Sequence, residues 1–400
     1  MPLQGLKVIE HATYIAAPGA GGLMADWGAE VVKIEPPGGD PIRRFFDTIG
    51  ADMGVNPVFD LDNRGKRSIM VDTATAEGRA IVHRLVKDAD VFLTNVRPGG
   101  LARGGLDHET LRAINPRLIY ASVTGYGLTG PDADRPGFDM AAFWARSGWG
   151  HLTAPKGVDP FPLRTAVGDH ICSLATLAGV LAAVHERSRT GRGRLVEASL
   201  LRAGTYTLGS DMAIQMRFGR VASTRPREAA INPIANFFRC KDDRWLALLP
   251  RQGSKDWGVM CEALGLAGLR DDPRFATAKA RRENGAAVVE ALDAAFAALP
   301  FEEAAARLDA HDLVWAPFQS AAEAARDPQL LAAGGVVTVP DGQGGVFQAP
   351  AGPIRFPGLE QAPGPAPTPG QHTREVLLQA GYAADEIEAL MASGAARDAA

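Results

Sequence analysis

Through the N-terminal half of the chain, apolar residues gather in short runs that do not alternate with polar ones. Leu6–Glu10 (LKVIE), Glu30–Glu35 (EVVKIE), Ser68–Asp72 (SIMVD), Asp90–Asn95 (DVFLTN) and Leu118–Val123 (LIYASV) each fit a strand buried on both faces. Helical patterns fall between them, at Ala20–Trp27 and across Ala74–Lys87. This alternation predicts a doubly wound, Rossmann-like α/β domain with a parallel sheet and helices on both faces. His170–Glu186 reads as a long apolar helix, stopped at Thr190-Gly191 and Gly193.

The middle of the chain changes character. Arg217–Arg227 is basic and poorly patterned and reads as a linker, and Phe237–Cys240 with Trp245–Leu249 predicts a hairpin around Lys241-Asp242-Asp243. Helical stretches follow near Trp257–Leu264, Gly285–Ala298 and Glu302–His311. Val336–Pro369, rich in Gly and Pro, reads as an extended return segment, and Arg374–Ala380 and Ala384–Ala392 as short terminal helices. The expected organisation is a discontinuous large domain, 1–215 and 331–400, with a smaller α+β domain at 216–330.

Composition narrows the function. The 400 residues are 46% apolar and 22% charged, as in an ordinary globular protein, and the formal net charge is −4. A nucleic-acid or membrane-surface partner would call for a basic excess, so neither is expected. No apolar run is expected to approach the roughly 20 residues of a membrane span. The opening MPLQGLKVIEHA lacks the regions of a signal peptide. The three scattered cysteines, Cys172, Cys240 and Cys261, fit buried free thiols rather than a disulfide framework or a zinc cluster. A cytoplasmic location is the expectation.

Four loops could carry chemistry. Pro18-Gly19-Ala20-Gly21-Gly22 follows the first strand and nearly makes a dinucleotide-binding turn, with Glu35 ending the next strand. Met24, however, falls where the third glycine belongs, so a tight strand-to-helix turn is the plainer reading. Asn95–Arg103 (NVRPGGLAR) follows the fourth strand, where ligands of such sheets collect, and its arginines suit phosphates. A solvated basic turn fits the same residues, as a charged surface turn fits Asn63–Arg67 (NRGKR). Asp169, in Val167-Gly168-Asp169-His170, opens the long helix. It reads as an N-cap whose charge the helix end preserves, or as a nucleophile; His170 reads as a polar residue of the first turn. The sequence holds no G-x-S-x-G, Walker A or H-E-x-x-H motif.

Read in order, GLKVIEHA, ADWGAEVVKIEPPGGD, NRGKRSIMVD, ADVFLTNVRPGGLARGGLD, NPRLIYASVTGYGLTGP, RPGFD, VGD, TGRGRLVEASL, DDPRFATAKAR, ARDPQLLAAG and PGQHTREVLLQAGYAADEI resemble the family III CoA-transferases nearly end to end. This is the carnitine and bile-acid CoA-transferase group, which also contains formyl-CoA transferases and α-methylacyl-CoA racemases. The resemblance implies an interlocked homodimer of two-domain chains, with the linkers that such threading needs. It implies no tightly bound cofactor; coenzyme A enters as the acyl-CoA substrate, with a carboxylic acid as its partner. Asp169 matches the nucleophilic carboxylate. Coenzyme A contacts are implied at Ile15 and Ala16, at Val71, Asp72, Thr73 and Ala74, and at Asn95, Val96, Arg97 and Arg103. Arg135, Gly137 and Phe138, with Pro136, are implied to lie over the pantetheine and thioester. Pro36 and Ala74 stand where formyl-CoA transferases carry basic residues, and Pro250–Lys255 lacks their glycine run.

The implied chemistry passes CoA through aspartyl anhydride and aspartyl-CoA intermediates, with backbone N–H groups after Asp169 offered to the oxyanion. A racemase of the same family is the first alternative, but Phe138 stands where its G-H-D motif carries a histidine, and phenylalanine moves no proton. A nicotinamide-dependent dehydrogenase and an inactive CoA-binding scaffold are weaker alternatives, opposed by Met24 and by Asp169 respectively.

Overall fold

The computed structural model describes residues 1–51, 54–251 and 254–399 and divides into two units. The first comprises Met1–His151, Phe161–Val221 and Gln329–Ala400. Its sheet is built from β1 (Lys7–His11), β2 (Glu30–Glu35), β3 (Arg67–Val71), β4 (Val91–Thr94), β5 (Ile119–Thr124) and β6 (Leu195–Ser199), all parallel, in the order β3-β2-β1-β4-β5-β6. Ala396–Arg397 adds a short antiparallel edge on β3, so the sheet is mixed rather than wholly parallel. The non-alternating runs have a direct cause: successive residues feed two different cores. Val8, Val31, Val91, Leu93 and Ile119 enter one; Ile9, Val32, Phe92, Leu118 and Tyr120 enter the other.

The first helix begins at Ala16, not Ala20, so the glycine run lies inside helix Ala16–Asp26 and not in the turn before it. It has a packing role. A Cβ at Gly19 would stand 2.6 Å from Ser173 Oγ, one at Gly22 2.7 Å from the Asp62 carbonyl oxygen, and one at Gly21 would collide with Glu10 Oε2. The glycines therefore let this helix lie against two neighbouring helices and a buried carboxylate, which removes the dinucleotide reading.

The long helix is Val167–Thr190, extended at both ends of its expected span. It is long and apolar enough to cross a membrane by length and composition, contrary to expectation. In this fold its Cys172, Leu177, Val180 and Ala183 pack into the core that holds β1, β4 and β5. The strand β6 was not foreseen, because its residues are mostly half-buried and carry no strong period. The return segment is also more structured than expected: Val336–Pro340 and Val346–Pro350 pair as an antiparallel hairpin.

The second unit, Leu152–Pro160 with Ala222–Pro328, holds a three-stranded antiparallel sheet, β7 (Asn236–Arg239), β8 (Trp245–Leu249) and β9 (Val314–Pro317). Helices including Gly285–Ala297 and Phe301–Ala310 cover it around Phe238, Leu246, Leu292 and Phe296. The Pro250–Lys255 segment compared with formyl-CoA transferases falls partly outside the described residues.

Candidate active site

In the large sheet the winding reverses between β1 and β4, and the ends of these strands open a crevice of about 340 Å³. Its wall is made by Thr13, Tyr14 and Ala16 after β1, Asn95–Pro98 after β4, and Val123–Gly125 at the end of β5. Ala133 and Arg135–Phe138, Leu200 and Asp169 complete it.

Hydrogen bonds fix the loop after β1 from two sides. Thr13 N–H donates to Asn95 Oδ1 at 3.0 Å and Asn95 Nδ2 donates to the Thr13 carbonyl at 2.6 Å, so the amide pairs with the loop as a neighbouring strand would. Tyr14, in the left-handed region at φ 64°, donates its N–H to Asp40 Oδ1 at 3.0 Å. Asp40 is anchored in turn by Lys33 at 2.8 Å. Lys33 also meets Glu10 at 3.0 Å and the Ala12 carbonyl at 3.0 Å, and Glu10 is held from its other oxygen by Lys66 at 2.7 Å. All four charged side chains are buried. The Glu10, Asp40 and Glu35 carboxylates hold the Lys33 ammonium well above its ordinary range despite burial, whereas burial pulls Lys66 down to about 8. A left-handed tyrosine is strained, and this network overdetermines it.

The opposite wall depends on two close approaches. Gly125 and Gly137 face each other so tightly that a Cβ on Gly125 would stand 2.8 Å from Gly137 Cα, which brings the end of β5 against the Arg135–Phe138 loop. Phe138 is exposed and meets Tyr14 edge to face at 5.4 Å between ring centres. Behind it, Asp139 begins a π-helical stretch, Asp139–Ala145, a local geometry frequent at functional sites. Phe143 from this stretch packs on Gly168, where any side chain would collide with its ring.

Asp169 is not the N-cap. That position is Ala166, in the left-handed region at φ 69°, with no side-chain cap. Asp139 supplies the hydrogen bond instead, its Oδ2 accepting from Gly168 N–H at 3.3 Å. Asp169 therefore stands in the first turn, facing the crevice. Its charge is not preserved by the helix end: burial, then the nearby Asp139 carboxylate, push its carboxyl up to about 7, against a smaller opposing pull from His170. Burial also raises Asp139. The N–H of His170, expected to serve an oxyanion, donates within the helix to the Ala166 carbonyl at 2.9 Å.

Of the residues singled out from the sequence, the crevice gathers Ala16, Asn95, Val96, Arg97, Arg135, Gly137, Phe138 and Asp169. Ile15 lies beneath it with Ile42, Phe59 and Ala166 in an apolar cluster. Val71 is core, and Asp72, Thr73 and Ala74 form the turn after β3, with Asp72 Oδ1 accepting from Ala74 N–H at 3.0 Å. Arg103 closes the Pro98–Gly104 helix. None of these six lines the crevice. Sequence reasoning missed Thr13, Tyr14, Thr124, Gly125, Ala133 and Leu200 as wall residues, and Asp139 as the cap. Thr13 and Tyr14 after β1, Thr124 and Gly125 at the end of β5 and Leu200 after β6 carry the strand-end signal; nothing local marks Ala133 or the cap.

A crevice at the switch point, with arginines on its rim and a carboxylate in its wall, is the ligand site of a doubly wound α/β protein. Residues 3–373 match CoA-transferase family III. The chain is 34% identical over 391 residues to an (R)-2-hydroxy-4-methylpentanoate CoA-transferase of Clostridioides difficile, covering 97% of each. It is 37% identical to a cinnamoyl-CoA:phenyllactate CoA-transferase of Clostridium sporogenes, over 68% of this chain and 66% of that one. A solved CAIB/BAIF family protein from Brucella suis superposes with a TM-score of 0.83 at 31% identity, over 95% of this chain and 99% of that one. The chain belongs to CoA-transferase family III.

Proposed function

We propose that this protein moves coenzyme A from an acyl-CoA to a free carboxylic acid, with Asp169 as the nucleophile. The observation that carries the reading is that Asp169 is the one acidic side chain among the described residues of the crevice wall, which also holds the exposed Arg97 and Arg135. The arginines suit the phosphates of the coenzyme, and the strand-end loops suit its pantetheine.

Asp169, as carboxylate, attacks the thioester carbonyl; the C–S bond breaks to give an acyl–aspartyl anhydride and CoA thiolate. The thiolate attacks the aspartyl carbonyl, releasing the donor acid as carboxylate and leaving aspartyl-CoA. The acceptor carboxylate then displaces the thiolate to form a second anhydride. The thiolate finally attacks the acceptor's carbonyl, giving the new acyl-CoA and restoring Asp169. Each step exchanges bonds of similar energy, and exclusion of water protects the anhydrides. Phe138, in the wall of the same crevice, offers no second proton shuttle, which disfavours racemisation.

Two relatives are named for 2-hydroxy acids with apolar side chains, so 2-hydroxy-4-methylpentanoate and phenyllactate head the acceptor panel. Incubated with acyl-CoAs and these acids, the wild type exchanges CoA by mass, and Asp169→Ala loses at least about a thousandfold. Hydroxylamine traps the acylated aspartate only in the wild type. Exchange by the Ala variant above about a hundredth of the wild-type rate would overturn the assignment.

The interlocked homodimer belongs to the same proposal. Tyr206, Met216 and Phe218, on the helices Leu200–Thr207 and Gly209–Phe218, are 85%, 73% and 66% exposed in the single chain, and a second copy would cover them. Native mass measurement at micromolar concentration should give a dimer; a folded monomer there would refute it.

A further inference from the structure

His170 follows Asp169 but turns to the other side of the helix. Its Nε2 lies 3.2 Å from Asp62 Oδ1, on helix Pro57–Asn63. The pair sits in a second cleft of about 280 Å³, walled by Leu23, Leu61, Leu174 and Pro350. Asp62 is 4% exposed, and its second oxygen, Oδ2, is buried without a hydrogen-bond partner. Among the described residues His170 is its one side-chain hydrogen-bond partner, so this buried carboxylate leans on it. His170 is absent from the CoA crevice wall, so any influence on the chemistry must pass through Asp169.

The charged groups around this point are few. Asp139 reaches the start of the long helix from the π-helical stretch. Asp62 faces His170 from Pro57–Asn63. Arg64 and Asp26 also border the second cleft, but they neutralise each other in a 2.6 Å pair. Cys172, on the long helix itself, has its thiol pushed by burial up to about 12 and stays uncharged. The return segment contributes Pro350–Pro353 to the cleft and no titratable group. Lys66, bound to Glu10 and to Asn63 beside Asp62, adds an attraction on Asp62 alone, so three carboxyls converge on one imidazole.

We propose that His170, held by Asp62, is a positioning residue for charge: its imidazolium favours the carboxylate form of Asp169 and so sets the pH at which the nucleophile becomes available. The inference rests on Asp169 being the nucleophile. Its hydrogen bond to Asp62 raises His170 above its ordinary value, so the imidazolium persists toward neutral pH, where Asp169 ionises. The productive state is then anionic Asp169 beside protonated His170.

Infrared titration of the carboxyl band that disappears in Asp169→Asn reads the ionisation of Asp169 directly, without substrate. His170→Gln should move its midpoint up by about one pH unit, and His170→Arg, a fixed charge, should return it to the wild-type value or below. The acid limb of kcat/KM for CoA exchange should move in parallel, since that limb reports the free enzyme. Exchange by the Gln variant should thus fall about tenfold at pH 6 and stay within about twofold of the wild type at pH 8.5. An unchanged midpoint in His170→Gln, equal midpoints in the Gln and Arg variants, or a kinetic limb that does not follow the infrared one would each overturn the proposal. Should Asp169→Ala still exchange CoA, the nucleophile reading fails instead, whatever the infrared midpoints show.

Discussion

Two clusters of charge touch the glycine run of helix Ala16–Asp26, and they are balanced in opposite ways. On the Gly21 side, Glu10, Asp40 and Glu35 meet Lys33, Lys66 and Arg43, three acids against three bases, in ion pairs of 2.7–3.0 Å. Near Gly19 and Gly22, Asp62 joins Asp139 and Asp169 around His170, three acids around one imidazole, with Lys66 of the first cluster acting on Asp62 from a distance. The first cluster fixes the shape of a loop, and for this every charge needs a partner. The second leaves a carboxyl underpaired and half-buried, the condition for a group that must form and break bonds near neutral pH.

The balanced cluster should respond most to losing one member. Lys33→Met removes the ammonium shared by Glu10 and Asp40 and leaves buried negative charge uncompensated. A destabilisation of about 3–5 kcal/mol is expected in denaturant unfolding. A loss below about 1 kcal/mol would mean that the network is not what holds the Thr13–Ile15 loop.

The underpaired cluster should respond with the opposite sign. Asp169 ionises near 3.8 when exposed and near 7 in the fold. Between about pH 4 and pH 7 the folded chain therefore holds a proton that the unfolded chain has released, and stability falls as pH rises through that window. Above it the fold carries the whole penalty of a buried anion. Asp169→Asn, which cannot ionise, should stabilise the protein by roughly 3–4 kcal/mol at pH 8 and by nothing measurable at pH 3. Unfolding followed at the two pH values checks this. A uniform loss of about 1 kcal/mol at both would restore the capping role that the geometry gives to Asp139.

The contrast also separates what sequence conveys from what it does not. The strands were legible because most residues of Val31–Ile34, Val91–Leu93 and Ile119–Val123 feed one of two cores and so are apolar, with Lys33 and Ser122 the buried polar exceptions. The strand-end loops were legible as walls of a crevice because the winding dictates where such sheets open; Arg97 lies in one of them, and Asp169, in the first turn of the long helix, lines the same crevice. Pairings across long separations were not. His170 meets Asp62 across 108 positions, and Asp139 caps a helix that starts 28 residues later, so no local pattern records either. The glycine run reads as a turn before the helix, and the structure puts it inside the helix, because a tight strand-to-helix turn and a helix that must approach its neighbours both call for glycine.

The smallest expected effect lies where the balanced cluster meets the crevice. Asp40 holds Tyr14 from the network side, and Asn95 holds Thr13 from the β4 side. If the network alone fixes the loop, the Asn95 amide is dispensable. If both are needed, Asn95→Ala frees the Thr13 N–H and carbonyl, which are half-buried and can turn to water, at a cost of about 1 kcal/mol. Thr13, Tyr14 and Ala16 line the crevice, and the hydrogen bonds that Asn95 makes go to Thr13, not to Asp169. The loss should fall on ground state and transition state alike: KM for acyl-CoA rises about three- to tenfold while kcat changes little. Asn95→Asp keeps the acceptor for Thr13 N–H but sets a carboxylate against the Thr13 carbonyl and near the Arg97 side of the crevice, where phosphates are proposed to bind, so its KM should rise further than that of the Ala variant. Steady-state kinetics of the two variants decide the matter. A fall in kcat with unchanged KM would place Asn95 in the chemical step, and unchanged kinetics in both would leave the loop to the buried ion network alone.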